Sequence, residues 1–279
     1  MCRLDMSAAS DVVLNGGSPR DRSGDTLPAS VTSYDLFAPH FDAWQRAFGQ
    51  PYDALVLPRV LAALDVHVPG ARHVVDLGVG TGDLAAALAR RGYAVTGVDC
   101  SAPMLGVAHA KLQAAGVVAT LLLQDIRTLA LDEPADAAVC VYTVLNQLTD
   151  DGDLARTFRA VRAALRPGGV FVFELNLPAA YDRYWTGTER VPAGDAVITR
   201  THRRAAGSAL VEADVTIVRA GAEVHDRIAQ RVYSDEEVRD ALAATGLVAV
   251  VREAFNPFER GAATPVKALW TVRPQRART

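Results

Sequence analysis

The segment Val74-Val75-Asp76-Leu77-Gly78-Val79-Gly80-Thr81-Gly82-Asp83-Leu84-Ala85 constrains this chain more than any other stretch. Two valines and a leucine run into three glycines at alternate positions, and an Ala/Leu-rich stretch follows. The pattern predicts a buried strand, a tight turn and the start of a helix. Glycines at such a turn let a ligand approach the backbone, and the free N–H groups at the helix start favour a negatively charged group. A dinucleotide site is the obvious competitor, and it requires G-x-G-x-x-G. Gly78 and Gly80 fit, but the third glycine falls at Gly82. Asp83 stands in the required place, where its carboxylate would face a pyrophosphate.

The 279 residues suffice for one large domain, or for a core domain with an insertion. Half the residues are hydrophobic and 22% are charged, the balance of a soluble globular chain. A net charge of −3 leaves no footprint for nucleic acid or an anionic membrane. No apolar run approaches the roughly 18 residues of a membrane span. Asp5, Ser10 and Asp11 interrupt any signal-peptide core. Cys2, Cys100 and Cys140 are scattered, as are the six histidines, so neither a metal site nor a disulfide framework is expected. The expectation is a cytoplasmic, metal-free protein, and the sequence leaves a homodimer open.

Along the chain, residues 1–30 lack periodicity and read as a disordered leader. Tyr34, Phe37, Phe41 and Trp44 have helical spacing, and a second helix is expected from Tyr52 to Leu64. Strands are then expected at 72–78, 94–99, 119–124, 136–142 and 170–176. Helices alternate with them at 83–91, 102–115 and 151–165, the second capped by Ser101 with Pro103 in its first turn. This alternation predicts a mostly parallel α/β sheet with helices on both faces. Residues 190–233 break the rhythm and predict three strands, with Val211, Ala213, Val215 and Ile217 alternating with polar neighbours. They are expected to form an antiparallel insertion between core segments 31–189 and 234–273. Ser234 and Glu237 then form a capping-box pattern, and strands near 247–254 and 266–272 close the sheet.

Ligands of open α/β sheets bind at the carboxyl ends of the strands. Strand two ends at Asp99, whose carboxylate can accept hydrogen bonds from both hydroxyls of a ribose. After strand three, Asp125 can accept from an exocyclic adenine amine, and Ile126 offers the base an apolar face. Met104, one turn into the helix after Asp99, can cover the other face of the base.

The order of these features, completed by Leu165-Arg-Pro-Gly-Gly-Val before strand five, resembles the class I S-adenosylmethionine (SAM)-dependent methyltransferases over about residues 34–272. The resemblance implies a Rossmann-like seven-stranded methyltransferase sheet carrying a small antiparallel β insertion. It places Asp76 and Gly78 against the methionine moiety of SAM, and Gly80 near its carboxylate and ammonium. It gives Asp99 the ribose hydroxyls, Cys100 a place beside the adenine, Asp125 and Ile126 the adenine ring, and Tyr142 a place near the sulfonium. Val79 stands where many relatives have cysteine or alanine.

The leader Tyr34-Asp-x-Phe-Ala-x-x-Phe-Asp and the insertion resemble the small-molecule branch that includes glycine N-methyltransferases and amino-sugar N,N-dimethyltransferases. That resemblance brings Tyr34 to the cofactor and makes the insertion a cover for the acceptor. Methyl transfer from a sulfonium needs positioning more than a strong base, and orientation can supply roughly 7–11 kcal/mol. The candidate catalytic residues are Tyr34, Gln147 and His40, with His202 and Glu174 as further candidates for a base. Gln147 follows strand four, where the amino-sugar enzymes can carry a titratable or aromatic residue. Phe41, Trp44, Tyr181, Tyr184, Trp185 and Phe258 can line an apolar acceptor pocket. The function expected is methyl transfer from SAM to an N or O nucleophile of a small molecule. The alternatives are a non-catalytic SAM-binding module and an NAD-dependent oxidoreductase.

Overall fold

The expected strand–turn–helix is β1 (His73–Leu77) followed by α3 (Asp83–Ala89), and β1 lies inside a seven-stranded sheet. The computed structural model describes residues 34–48, 52–259 and 261–275, so the leader expected at 1–30 lies outside the described residues. The chain runs α1 (Phe41–Ala47), α2 (Tyr52–His67), β1, α3, β2 (Ala94–Asp99), α4 (Ala102–Ala114), β3 (Thr120–Leu123) and β4 (Ala135–Cys140). It continues through α5 (Asp153–Ala164), β5 (Leu165–Asn176), α6 (Pro178–Tyr184), α7 (Asp235–Thr245), β10 (Leu247–Phe255) and β11 (Lys267–Pro274). Between α6 and α7 lie β6 (Thr188–Ala193), β7 (Ala196–Arg203), β8 (Leu210–Arg219) and β9 (Ala222–Arg231).

The large sheet has the order β10-β11-β5-β4-β1-β2-β3, with β11 antiparallel to both of its neighbours. Its strands sort their side chains by the period of two that a pleated strand imposes. Val75, Leu77, Ala138, Cys140, Phe171 and Phe173 join the core beneath α5 and α7. Val74, Ala137, Val139, Val170 and Val172 join the core beneath α2, α3 and α4. Both faces are thus buried under helices. Strand order reverses between β1 and β4, which opens a crevice at their carboxyl ends.

The second sheet is antiparallel, in the order β6-β7-β8-β9. Val211, Ala213, Val215 and Ile217 are buried along β8, as their alternation predicted. The sheet has four strands, where the sequence suggested three. Strand β6 carries Pro192 and charged Glu189 and Arg190, and it lies at an edge, where a proline is tolerated. Strand β5 also begins earlier than expected, at Leu165, because Leu165 pairs with Ala135 before an irregularity in the ladder. The leader segment, expected as one helix from Tyr34, is a turn, a short 3-10 stretch at Ala38–His40 and then α1. Phe37, Phe41 and Trp44 of that segment pack with Met104 of α4 and with Val191, Ile198, Val215 and Ile228 of the second sheet. Among the described residues no helix is long and apolar enough to cross a membrane.

The turn after β1 depends on Gly78. Its φ is +71°, and a Cβ there would meet the two methyl carbons of Val144 at 2.4 and 2.7 Å. Val144 is β-branched and cannot swing aside freely. Gly78→Ala should destabilise the protein by about 2–4 kcal/mol in urea unfolding, combining left-handed strain with overpacking. In a Val144→Ala background the added cost of Gly78→Ala should shrink to the conformational share of about 1–2 kcal/mol.

Candidate functional site

Two cavities meet at the carboxyl ends of β1, β2 and β4. The first, about 390 Å³, lies over the glycine turn. It is lined by Tyr34, Asp76, Gly78, Gly80, Asp99, Cys100, Met104, Asp125, Ile126, Tyr142 and Gln147, every one a residue singled out in the sequence. The second, about 790 Å³, lies between this region and the second sheet. Tyr34, Phe41, Gln45, Tyr52 and Tyr142 line both, so the two share an aromatic throat. Within it the Tyr52 and Tyr142 rings lie 4.7 Å apart and the Phe41 and Tyr142 rings 5.8 Å apart.

Acids dominate the smaller cavity. Asp76 Oδ2 is buried and has no hydrogen-bond partner among the described residues. Burial, then the neighbouring Asp99 carboxylate, pushes the Asp76 carboxyl up to about 7. Asp99 accepts from Gly80 N and Ser101 N, each at 2.9 Å, which fixes its position between the turn and α4. Its pKa remains raised, because burial outweighs those backbone donors. Burial also pushes the Cys100 thiol up to about 11 and the Tyr34 phenol up to about 12, so both are neutral.

Arg127 engages Asp125. Its Nε reaches both carboxylate oxygens, at 3.0 and 2.9 Å, and its terminal nitrogen lies 2.6 Å from Oδ2. Burial alone would raise the Asp125 pKa, but hydrogen bonds and charge from Arg127 bring it below its ordinary value. Much of the acceptor capacity that the sequence reserved for an adenine amine is therefore in use. Arg127 was missed, although its place two residues after Asp125 was available as a signal.

The leader is anchored to this cavity by a polar network. Lys111 Nζ reaches Asp42 Oδ2 at 2.7 Å, Asp83 Oδ1 at 2.5 Å and Thr81 Oγ1 at 3.1 Å. Thr81 Oγ1 in turn donates to Asp42 Oδ1 at 2.6 Å. Asp83, the residue that spoiled the dinucleotide motif, thus helps to hold α1 over the turn. Tyr142 and Thr143, at the end of β4, both adopt positive φ, at 63° and 64°. Neither is glycine, so the throat contains a strained backbone of the kind that clusters at functional sites.

The larger cavity is aromatic. Phe37, Phe41, Trp44, Phe48, Tyr184, Trp185 and Phe258 line it, and Trp44 Nε1 is buried without a partner among the described residues. Tyr181 does not line it: the side chain is buried, and its hydroxyl donates to Gln230 Oε1 at 2.9 Å. His40 lines neither cavity, because it packs at the start of α1 with Nδ1 4.0 Å from Asp195 in the β6–β7 turn. The structure does not bring His40 together with the other candidate residues. His202 also lies outside both, packed 5.1 Å from the Trp185 ring, with its pKa lowered first by burial and then by Arg200.

A methyltransferase-domain model matches residues 74–169. The ubiquinone biosynthesis O-methyltransferase of Xanthomonas campestris is 34% identical over 167 residues, covering 57% of this chain and 68% of that enzyme. The chain belongs to the SAM-dependent methyltransferases. Among solved structures, the CcbJ methyltransferase of Streptomyces caelestis is 26% identical with a TM-score of 0.73, over 88% of this chain and 99% of that one. CalS10, an amino pentose methyltransferase of Micromonospora echinaspora, is 25% identical with a TM-score of 0.62, over 83% and 95%. The chain spans less than half the length of two further curated relatives, 43% and 46%. Membership in this methyltransferase family displaces the NAD-dependent alternative. The smaller cavity suits SAM, a cation with ammonium and hydroxyl donors: it offers a buried Asp76 oxygen without a partner among the described residues and a turn where a side chain at Gly78 would not fit.

The Asp76 shift has a consequence for stability. A carboxyl raised from 3.8 to about 7 binds its proton more tightly in the folded state, so folding stability falls as pH climbs through that window and stays low above it. The ceiling on that loss is about 4 kcal/mol. Asp76→Asn should therefore raise the Tm of the ligand-free methyltransferase above pH 7, with the gain shrinking toward pH 4; thermal melts across that range measure it.

Proposed function

We propose that this protein transfers a methyl group from SAM to a nitrogen or oxygen nucleophile of a small molecule with a largely aromatic or apolar body. The observation that carries the reading is the throat: an acid-lined cavity and an aromatic cavity open on the same four rings, Tyr34, Phe41, Tyr52 and Tyr142. When bound, SAM supplies a methyl group activated on a positively charged sulfur. Asp76, Gly78 and Gly80 would hold its amino-acid end, and Asp99 its ribose. Cys100, Met104 and Ile126 would enclose the adenine, with Asp125 kept in orientation by Arg127. Tyr34 and Tyr142 would border the sulfonium, where ring faces favour positive charge.

The acceptor would occupy the larger cavity, under the second sheet. Its lining cations are both engaged: Arg200 pairs with Glu189, and Lys267 with Glu174. An acceptor carrying a phosphate would find no free cation there among the described residues. Nitrogen becomes positively charged as it gains the methyl group, so the ring-lined throat favours an amine. The amino pentose methyltransferase among the structural neighbours supports that preference. Orientation in the throat supplies the catalysis, and Gln147, which cannot take a proton at neutral pH, acts by position alone.

Calorimetric titration of SAM should give tight binding to the wild type, weakened about 100-fold by Asp99→Ala through loss of two charged hydrogen bonds. SAM with a labelled methyl group, incubated with aryl-alkyl amines and phenols headed by tyramine, should then yield S-adenosylhomocysteine and an N-methylated product, assigned by mass spectrometry. SAM that binds but is never turned over across the panel would establish the non-catalytic SAM-binding module instead.

A further inference from the structure

A buried polar chain stands in the wall of the larger cavity and reaches the throat at Tyr52. Lys267 Nζ on β11 lies 2.7 Å from Glu174 Oε1 on β5 and 3.0 Å from Asn176 Oδ1. The same ammonium sits 4.8 Å from the centre of the Tyr52 ring, so two hydrogen bonds and a ring face engage it. Glu174 is fully buried, and its other oxygen, Oε2, accepts the hydroxyl hydrogen of Tyr52 on α2. Tyr52, Asn176 and Lys267 all line the larger cavity, and Tyr52 also lines the smaller one.

Donor and acceptor roles along this chain are fixed by chemistry. An ammonium only donates, and a carboxylate only accepts. Glu174 therefore obliges Tyr52 to donate toward it, and a hydroxyl has a single hydrogen to give. What remains on the Tyr52 oxygen is lone pairs. Burial, then Glu174, holds the phenol well above its ordinary pKa, so the hydrogen stays in place.

Building on the assignment of the larger cavity to the acceptor, we propose that the Lys267–Glu174–Tyr52 chain makes Tyr52 an obligate hydrogen-bond acceptor at the throat, which selects substrates presenting an N–H or O–H there. Primary and secondary amines and hydroxyl compounds meet that requirement. Quaternary ammonium compounds and ethers do not. Tyr52 is in this sense a positioning residue: holding one hydrogen of the nucleophile turns its lone pair toward the other cavity.

Substituting the hub makes a sharper prediction. In Glu174→Gln, the carboxamide oxygen must face the Lys267 ammonium, which leaves its NH₂ group facing Tyr52. Tyr52 then accepts from the amide and turns its own hydrogen into the cavity. The polarity of the site is reversed.

The test is calorimetric titration of benzylamine and benzyltrimethylammonium into the full-length protein, with saturating S-adenosylhomocysteine to fill the smaller cavity. Both probes are cations with the same ring, and they differ in carrying N–H groups. Wild type should prefer benzylamine by about tenfold, the scale of one hydrogen bond. Tyr52→Phe, which leaves the ion pair intact, should bring the two affinities within about twofold. Glu174→Gln should weaken benzylamine until the quaternary probe binds more tightly. A preference for benzylamine that persists in Tyr52→Phe would overturn the proposal while leaving the acceptor cavity in place. Binding of neither probe by wild type would overturn the assignment of that cavity, and the proposal with it.

Discussion

The Lys111 ammonium ties the leader helix to the glycine turn and to the start of α3. It lies against Asp42 of the leader helix, Asp83 at the start of α3 and Thr81 in the glycine turn, while its own backbone belongs to α4. The charged side chains are partly exposed, so the network contributes little to global stability. Its importance is geometric. With α1 held over the turn, Tyr34, Phe41 and Gln45 become walls of both cavities.

The same leader segment determines where the second sheet sits. Phe37, Phe41 and Trp44 are packed between Met104 of α4 and the apolar side chains of β6, β7, β8 and β9. A four-stranded antiparallel sheet with one buried face needs such a partner, and here the partner is seven residues of helix and the turn before it. The roof of the larger cavity is therefore positioned through the floor of the smaller one. A shift of α1 on the glycine turn would move Tyr34 and Phe41 in both cavities at once. This coupling is a property of the packing, since the rings of the leader are shared between the two cavities.

What was legible in the sequence was local. The glycine turn, Asp99 at the end of β2 and Ile126 after β3 announce themselves within a dozen residues, because strand and helix periods end at recognisable punctuation. The hidden features are joined across long separations. Tyr52 and Glu174 are 122 residues apart, and Lys267 lies 93 residues beyond Glu174. No spacing rule connects them, and only the antiparallel placement of β11 beside β5 brings Lys267 to the wall. The positive φ values of Tyr142 and Thr143 were equally invisible, since neither residue type signals a left-handed backbone. His40, which lines neither cavity, is the converse case. Its place in an aromatic-rich motif suggested the site, but helical geometry turned it toward Asp195.

The two buried carboxylates near the throat show how the fold divides its electrostatic work. Asp76 Oδ2 has no partner among the described residues, so its charge is unfavourable until a cation arrives, and that discomfort is available as binding energy. Glu174 is fully paired and has no unmet demand to offer a ligand. A buried ion pair of this kind is weak evidence for stability, because apolar residues of similar volume fill such a space equally well. Its value lies in direction. Donors on Lys267 and Tyr52 converge on one carboxylate, and that convergence leaves a single oxygen with fixed polarity at the point where the cavities meet. One acid attracts a positive ligand by charge, and the other sorts nucleophiles through a neutral intermediary.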